Sequence, residues 1–158
     1  MIIHPIPPLF SKESETLILG SFPSVKSREA AFFYGHPQNR FWAVVAEIYG
    51  CEKPLTIEEK KKLVIENKLA MWDVIESCEI EGSADSTISN VTANNLEIIL
   101  ANSKVDRIFV NGKTAEKYYN KYTYPKTGIK AVCLPSTSPA NAAWGIERLV
   151  EAWKVIKK

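Results

Sequence analysis

The 158-residue chain is 46% hydrophobic and carries 20 Lys and Arg against 18 Asp and Glu, a formal charge of +2. That apolar content suffices for one self-supporting core and predicts a single domain over residues 1–158, while the small net charge excludes a uniformly basic nucleic-acid binder and leaves room only for a local positive face. Cys51, Cys78 and Cys133 lie far apart with no CxxC spacing, which argues against a disulfide framework or a metal or iron–sulfur centre and suits reduced intracellular thiols.

The N-terminus has no cationic flank and its apolar residues are broken by Pro5, Pro7 and Pro8, so no signal peptide is expected. No stretch is long enough to span a membrane, and the expectation is a cytoplasmic monomer without a membrane partner. The sequon Asn90-Val91-Thr92 then has no secretory route by which to be glycosylated. The first strand is predicted over Thr16 to Leu19, closed by the turn Gly20-Ser21-Phe22-Pro23. Helical periodicity follows over Arg40 to Tyr49 and Thr56 to Glu66, the latter opened by a Thr56/Glu59 capping box. A second strand, Leu69 to Val74, contains Asp73; a helix over Asn94 to Ala101 leads to a third strand, Arg107 to Val110, and to Asn111-Gly112-Lys113. A helix over Lys113 to Lys121, a fourth strand over Lys130 to Leu134, the turn Pro135-Ser136-Thr137-Ser138 and a helix over Ile146 to Ile156 complete the chain. This alternation predicts an α/β fold: a three-layer α/β/α sandwich with a central, mostly parallel sheet of about four strands. Open sheets of this kind bind ligands beyond the carboxyl ends of their strands, and the unusual residues all fall there, which predicts one cleft.

Three segments carry the chemistry: TLILGSFPS (Thr16 to Ser24), FFYGHPQNRFW (Phe32 to Trp42) and LPSTSPAN (Leu134 to Asn141). Together they resemble the uracil-DNA glycosylase superfamily, and the resemblance runs through nearly the whole chain. GSFPS stands where that superfamily has its first motif, HPQNRFW is similar to the segment after that motif in mismatch-specific uracil glycosylases, and PSTSPAN is similar to the second, DNA-clamping motif. With the His-Pro-rich stretch HPIPPLF, His4 to Phe10, the resemblance is closest to the hypoxanthine-DNA glycosylase branch. It implies a monofunctional enzyme that flips a deaminated nucleotide, preferentially deoxyinosine, out of damaged DNA and hydrolyses its N-glycosidic bond. No cofactor or metal is implied, and no lysine nucleophile, hence no strand cleavage through a Schiff base.

Phe22 immediately precedes Pro23, where many relatives carry a water-orienting Asp or Asn, and a phenyl ring can neither polarise water nor accept a hydrogen bond. The resemblance supplies Asn39 as the catalytic residue instead. Its carbonyl is expected to hold water against the anomeric carbon and to face the positive charge of an oxocarbenium-like transition state. From spacing alone Asn39 is first a helix cap, since it directly precedes RFWAVVAEIY, and the two roles can coexist.

A flipped base is gripped between an aromatic ring and polar groups that read its edge. The resemblance points to Tyr34 as the ring, with Phe32 and Phe33 available for the core and Phe41 and Trp42 assigned to it. Backbone amides of the Gly20, Ser21 and Phe22 turn suit a base carbonyl. Asp73 is either an acceptor for a lactam or imide N–H or a solvated or capping carboxylate. His36 either donates to the leaving base or a phosphate or is a satisfied structural histidine. In PSTSPAN, the hydroxyls of Ser136, Thr137 and Ser138 are expected on DNA phosphates, and Pro139, Ala140 and Asn141 in the space left by the flipped nucleotide. From composition alone the same segment is an ordinary Ser/Pro turn before a helix. Ser24 and Lys113 complete the expected DNA contacts, Lys26 and Arg28 add charge at the rim, and the EEKKK run around Lys60 is a solvated helix face.

Two other readings stand beside this one: a mismatch-specific uracil-DNA glycosylase, and a non-catalytic nucleotide- or DNA-damage-binding module. GSFPS after a strand suits a phosphate but lacks both the Gly-rich fingerprint and the Walker lysine. A hydrolase triad built on Ser21 or Ser136 with His36 is disfavoured, because the chain has no G-x-S-x-G elbow and no histidine near the C-terminus.

Overall fold

The four predicted strands pair side by side, all in parallel, in a computed structural model that describes all 158 residues. In chain order the elements are β1 (Ile2–Ile3), β2 (Thr16–Gly20), α1 (Val25–Ala30), α2 (Phe41–Ile48), α3 (Ile57–Glu66), β3 (Leu69–Asp73), β4 (Ile75–Glu79), β5 (Ser89–Ala93), α4 (Glu97–Leu100), β6 (Arg107–Asn111), α5 (Lys113–Tyr118), α6 (Tyr124–Thr127), β7 (Ala131–Leu134) and α7 (Ile146–Trp153). The main sheet has the order β3-β2-β6-β7. The chain steps from β2 to one neighbour, β3, and then crosses to the other, β6, so the strand order reverses between β2 and β6. Their carboxyl ends flank the switch point where a doubly wound sheet opens a crevice.

Alternation along the strands divides the core into two. Ile18, Met71 and Phe109 pack with Trp42, Val45, Val64, Leu149 and Trp153 of α2, α3 and α7. Leu17, Leu19, Ala70, Ile108 and Val110 face the other way, onto Leu96, Ile99, Ala115 and Tyr118 of the α4 and α5 region. Every residue of β2 is buried, as expected of a strand covered on both faces. These are the three layers that the alternation predicts. Half of the capping box forms: the Thr56 hydroxyl accepts the Glu59 N–H at 3.1 Å, while the Glu59 carboxylate accepts from the Thr56 hydroxyl at 3.2 Å and not from its backbone N–H.

Four features depart from the sequence reading. A second, antiparallel sheet of order β1-β4-β5 continues from β3. The helix expected from Asn94 starts only at Glu97, because the Asn94 side chain bonds the carbonyls of Asp73 and Ile75 at 2.9 and 3.3 Å, while Asn95 accepts the Glu97 N–H at 3.0 Å. The helix expected through Lys121 passes into a π-helical turn, Tyr119–Thr123, before α6. Lastly, α1 is too short and polar to leave a periodic trace; it rests on a Ser24 cap that accepts the Ser27 N–H at 3.2 Å. No helix is long and apolar enough to cross a membrane.

Candidate active site

Beyond the carboxyl ends of β2 and β6 lies a cavity of about 460 Å³, lined by Gly20 to Ser24, Ser27, Phe33, Tyr34, His36, Asn39, Asp73, Ser83 to Asp85, Asn111 and Ser136 to Ala140. The GSFPS, HPQNRFW and PSTSPAN segments therefore meet in one cleft, with Asp73 at its floor. Of the expected site residues, Lys113 and Asn141 lie outside the lining. Lys113 is exposed at the start of α5. Asn141 is tied inward, its side chain donating to the Ser136 carbonyl at 3.0 Å, which braces the loop.

Asp73 is 4% exposed and is held by a residue from the far end of the sequence. His4 Nε2 lies 2.7 Å from Asp73 Oδ2, with the two side chains 2% and 6% exposed. His4 Nδ1 accepts the Ile6 N–H at 3.2 Å. A backbone N–H can only donate, so Nδ1 is unprotonated and Nε2 carries the proton given to the carboxylate. Asp73 Oδ1 lies over Gly20, where a Cβ would collide with it, so only glycine allows the carboxylate to reach across the end of β2. Beside it, the Gly20 and Ser21 carbonyls accept from Val74 and Ile75 at 2.8 and 3.1 Å, while the N–H groups of Ser21 and Phe22 have no partner within the protein. The Phe22 ring is buried against His4 at a centroid distance of 6.0 Å, which leaves its backbone as its polar presence in the cleft.

Tyr34 forms one wall. Its ring stacks on Phe41 at 4.2 Å and 18°, so one face is covered by the core, and the residue also lines the cleft. Its φ of 51° is unusual for a bulky residue, a conformation that costs on the order of 1 kcal/mol and persists only where packing enforces it. Burial pushes the phenol well above its ordinary range, and the Asp73 charge adds to this; it remains a neutral hydroxyl. Phe32, Phe33, Phe41 and Trp42 are core residues. The His36 imidazole is half-buried, and its Nδ1 accepts the Gln38 N–H at 3.1 Å.

Asn39 lies one place ahead of the N-cap of α2, which is Arg40, and its side chain still bonds the start of the helix. Its Oδ1 accepts the Phe41 N–H at 2.9 Å at the start of α2 and also the Thr137 hydroxyl at 2.9 Å. Both carbonyl lone pairs are therefore engaged, so the carbonyl is not free to hold a water in this arrangement. Nδ2 has no hydrogen bond within the protein and is the polar group Asn39 has left for the cleft. The three hydroxyls of PSTSPAN also part company. Thr137 is fully buried and bonded inside the protein, so it is not available to a phosphate. Ser136 Oγ accepts the Ser138 N–H at 3.1 Å and Ser138 Oγ accepts the Ala140 N–H at 3.2 Å, which leaves both hydroxyl protons free. The Ser24 hydroxyl is committed to capping α1 and to Ser27 Oγ at 3.1 Å.

Several organising residues carried no assignment in the sequence reading. His4 is one; its signal was the repetition of His-Pro-X at His4-Pro5-Ile6 and His36-Pro37-Gln38. Arg40 is another: its guanidinium donates to the carbonyls of Ser138 at 2.8 Å, Asn141 at 3.1 Å and Trp144, and its N–H donates to Thr137 O at 3.1 Å. The β4–β5 connection supplies a third wall, tied to α1 by Arg28 on the Gly82 carbonyl at 2.6 Å and by the Val25 N–H on Ser83 Oγ at 2.9 Å. No His, Cys, Asp and Glu side chains gather in threes as a metal-ligand set.

Comparison with known proteins identifies the family and agrees with the fold. The profile of the uracil DNA glycosylase superfamily matches residues 7–157. A hypoxanthine DNA glycosylase of Methanosarcina acetivorans is 32% identical over 161 residues, covering 99% of this chain and 98% of that protein. A hypoxanthine DNA glycosylase of Methanosarcina barkeri is 31% identical over 139 residues, 85% of each chain. The solution NMR structure of a candidate uracil DNA glycosylase from Methanosarcina acetivorans superposes with a TM-score of 0.82 at 31% identity, covering 98% of this chain and 96% of that one.

Proposed function

This chain belongs to the uracil DNA glycosylase superfamily and is a DNA glycosylase, and from that premise we propose that it releases hypoxanthine from deoxyinosine in DNA, leaving an abasic site. The observation that carries this reading is the pairing of one acceptor with two free donors at the floor of the cleft. Asp73 Oδ1 lies over Gly20, and the next two residues, Ser21 and Phe22, line the same cleft with N–H groups that have no partner of their own. A base with an N–H next to a C=O complements that pair: hypoxanthine N1–H donates to Asp73 and O6 accepts from the amides. Adenine inverts both, setting its N1 lone pair against the carboxylate and its amino group against the N–H donors. A site built this way rejects the inverted edge because its own buried groups would be left unpaired.

The nucleotide must leave the stack to reach this floor, and Tyr34 offers it a ring backed by Phe41. As the C1′–N9 bond lengthens, its electron pair passes to the base. Donors at the Ser21 and Phe22 amides and at Asn39 Nδ2 meet that growing negative charge, the kind of aimed electrostatic stabilisation that contributes most to many enzymes. Water adds to C1′, its proton is released, and the base leaves protonated on nitrogen. The hydroxyl protons of Ser136 and Ser138 suit phosphate oxygens, which fix register without reading sequence.

Uracil carries the same O4/N3–H edge, so the test is a panel of duplexes containing deoxyinosine, deoxyuridine, deoxyxanthosine or only normal bases, scored for abasic sites. Deoxyinosine is expected to react fastest. Release of uracil with deoxyinosine left intact would replace this reading by the uracil glycosylase one, and lesion binding without release would identify a silent binding module.

A further inference from the structure

We infer that Thr137, gripped at both its hydroxyl and its backbone N–H by the Asn111 side chain, is the positioning residue that orients the Asn39 amide; this rests on the role proposed above for Asn39 in base release. The bonds fix their own direction. Asn111 Oδ1 accepts the Thr137 N–H at 3.1 Å, which sets the Asn111 amide so that Nδ2 donates to Thr137 Oγ1 at 3.0 Å. The Thr137 hydroxyl thereby has its acceptor side occupied, and its proton points to Asn39 Oδ1, 2.9 Å away. The second bond to that oxygen comes from the Phe41 N–H, again a group that only donates. No member of this chain can be flipped without setting two donors or two acceptors against each other. Asn39 is consequently locked with its NH₂ as the free end.

The three residues come from three different places: the end of β6, the loop after β7 and the turn before α2. Their bonds extend the β6–β7 ladder, which ends at Asn111 and Leu134, across to the turn before α2, where the Arg40 N–H also meets the Thr137 carbonyl. Gly112, at φ 93°, brings the backbone after Asn111 close to Ser136, where a Cβ would approach the Ser136 Cβ to 3.1 Å. Thr137 is fully buried, so its end of each bond is shielded from water, where the lower local dielectric strengthens a hydrogen bond. A hydroxyl that looks from sequence like a phosphate contact thus acts through Asn39.

The test compares Thr137→Val, which keeps the shape and removes the hydroxyl, with Thr137→Ser, which keeps the hydroxyl. Asn111→Ser removes the clamp while leaving Thr137 and Asn39 in place, so the outcome does not depend on one variant folding. Single-turnover release from a deoxyinosine duplex is expected to fall about tenfold to a hundredfold in T137V and N111S, with duplex Kd changed by less than about twofold, and T137S is expected to stay within about threefold of the parent. A T137V rate equal to the parent, or a T137S rate as low as T137V, overturns the assignment. The Asn39 side-chain NH₂ resonances, assigned by their loss in Asn39→Ala, provide a readout independent of activity. They should keep their parental shifts in T137S and move in T137V. If the parent releases no base from any lesion, the proposed function fails, and these resonances still decide the positioning: unchanged shifts in T137V refute it.

Discussion

In His4-Pro5-Ile6 and His36-Pro37-Gln38, the imidazole Nδ1 accepts the N–H of the residue two places on, at 3.2 and 3.1 Å. The intervening proline has no N–H, so that donor is the first the backbone offers, and both rings are fixed with the proton on Nε2. Beyond this local likeness the two turns differ. The His4 ring is buried between Phe22 and Trp72, and its Nε2–H is committed to Asp73 at 2.7 Å. The His36 ring borders the cleft, half-buried, with no partner for Nε2 within the protein. One local device thus makes a strut where the sheet supplies a carboxylate and an available donor where it supplies none. What a turn motif does is decided by the surface it is docked against.

The largest expected effect tests the segment that follows the open turn. Asn39→Ala should lower single-turnover release about a hundredfold to a thousandfold while lesion binding persists, as for loss of an aimed donor. Asn39→Asp keeps an oxygen for Phe41 and Thr137 but removes Nδ2, and should be no faster than the alanine variant; substantial activity in it would return the carbonyl to the role of holding water. Next comes the floor that the closed turn supports. Asp73→Asn still offers His4 an oxygen but turns an NH₂ to the base, and a lost charge-assisted hydrogen bond of about 1.5–3 kcal/mol corresponds to a fall in rate of roughly tenfold to more than a hundredfold.

His4→Ala and His36→Ala then separate the two turns directly. Removing the His4 donor from a buried carboxylate should cost about 1.5–3 kcal/mol, a fall in Tm of about 3–12 °C for a chain of this size. His36→Ala should leave Tm within about two degrees, as surface changes do, and lower base release or duplex affinity by about tenfold. Equal Tm losses in the two variants would abolish the distinction. The smallest effect is expected from Ser136→Ala with Ser138→Ala: a loss of severalfold in affinity for damaged and undamaged duplex alike, since phosphate contacts carry no sequence information, measured at more than one salt concentration.

Local pattern made the four parallel strands legible. Thr16, Leu69 and Arg107 begin their strands where the apolar runs begin, and the cleft falls at the carboxyl ends as such sheets require. The second sheet left little trace because β5, Ser89–Ala93, contains one large aliphatic residue, Val91, and is mostly solvent-facing. Asn39, Tyr34 and Asp73 could be singled out by resemblance or placement, but not the contacts that define them. His4 and Asp73 lie 69 residues apart, and no local periodicity records a pairing at that distance. Likewise Ser136, Thr137 and Ser138 are equivalent hydroxyls in sequence; only the approach of Asn111 and Asn39 from other elements turns the middle one inward.

Arg40 bears on how the protein meets DNA in time. With a net charge of only +2, the molecule has little long-range field to steer a polyanion, and encounter should proceed near the unsteered range of about 10⁵–10⁶ M⁻¹s⁻¹. Yet the carbonyls of Ser138, Asn141 and Trp144 are drawn under the loop by a single guanidinium, so a full positive charge lies just beneath the surface a phosphate would touch, and the loop's shape is set before contact. Little conformational freedom remains to be lost on docking. Selectivity among sites on the duplex would then lie in residence, in how slowly the complex comes apart, and not in how often it forms.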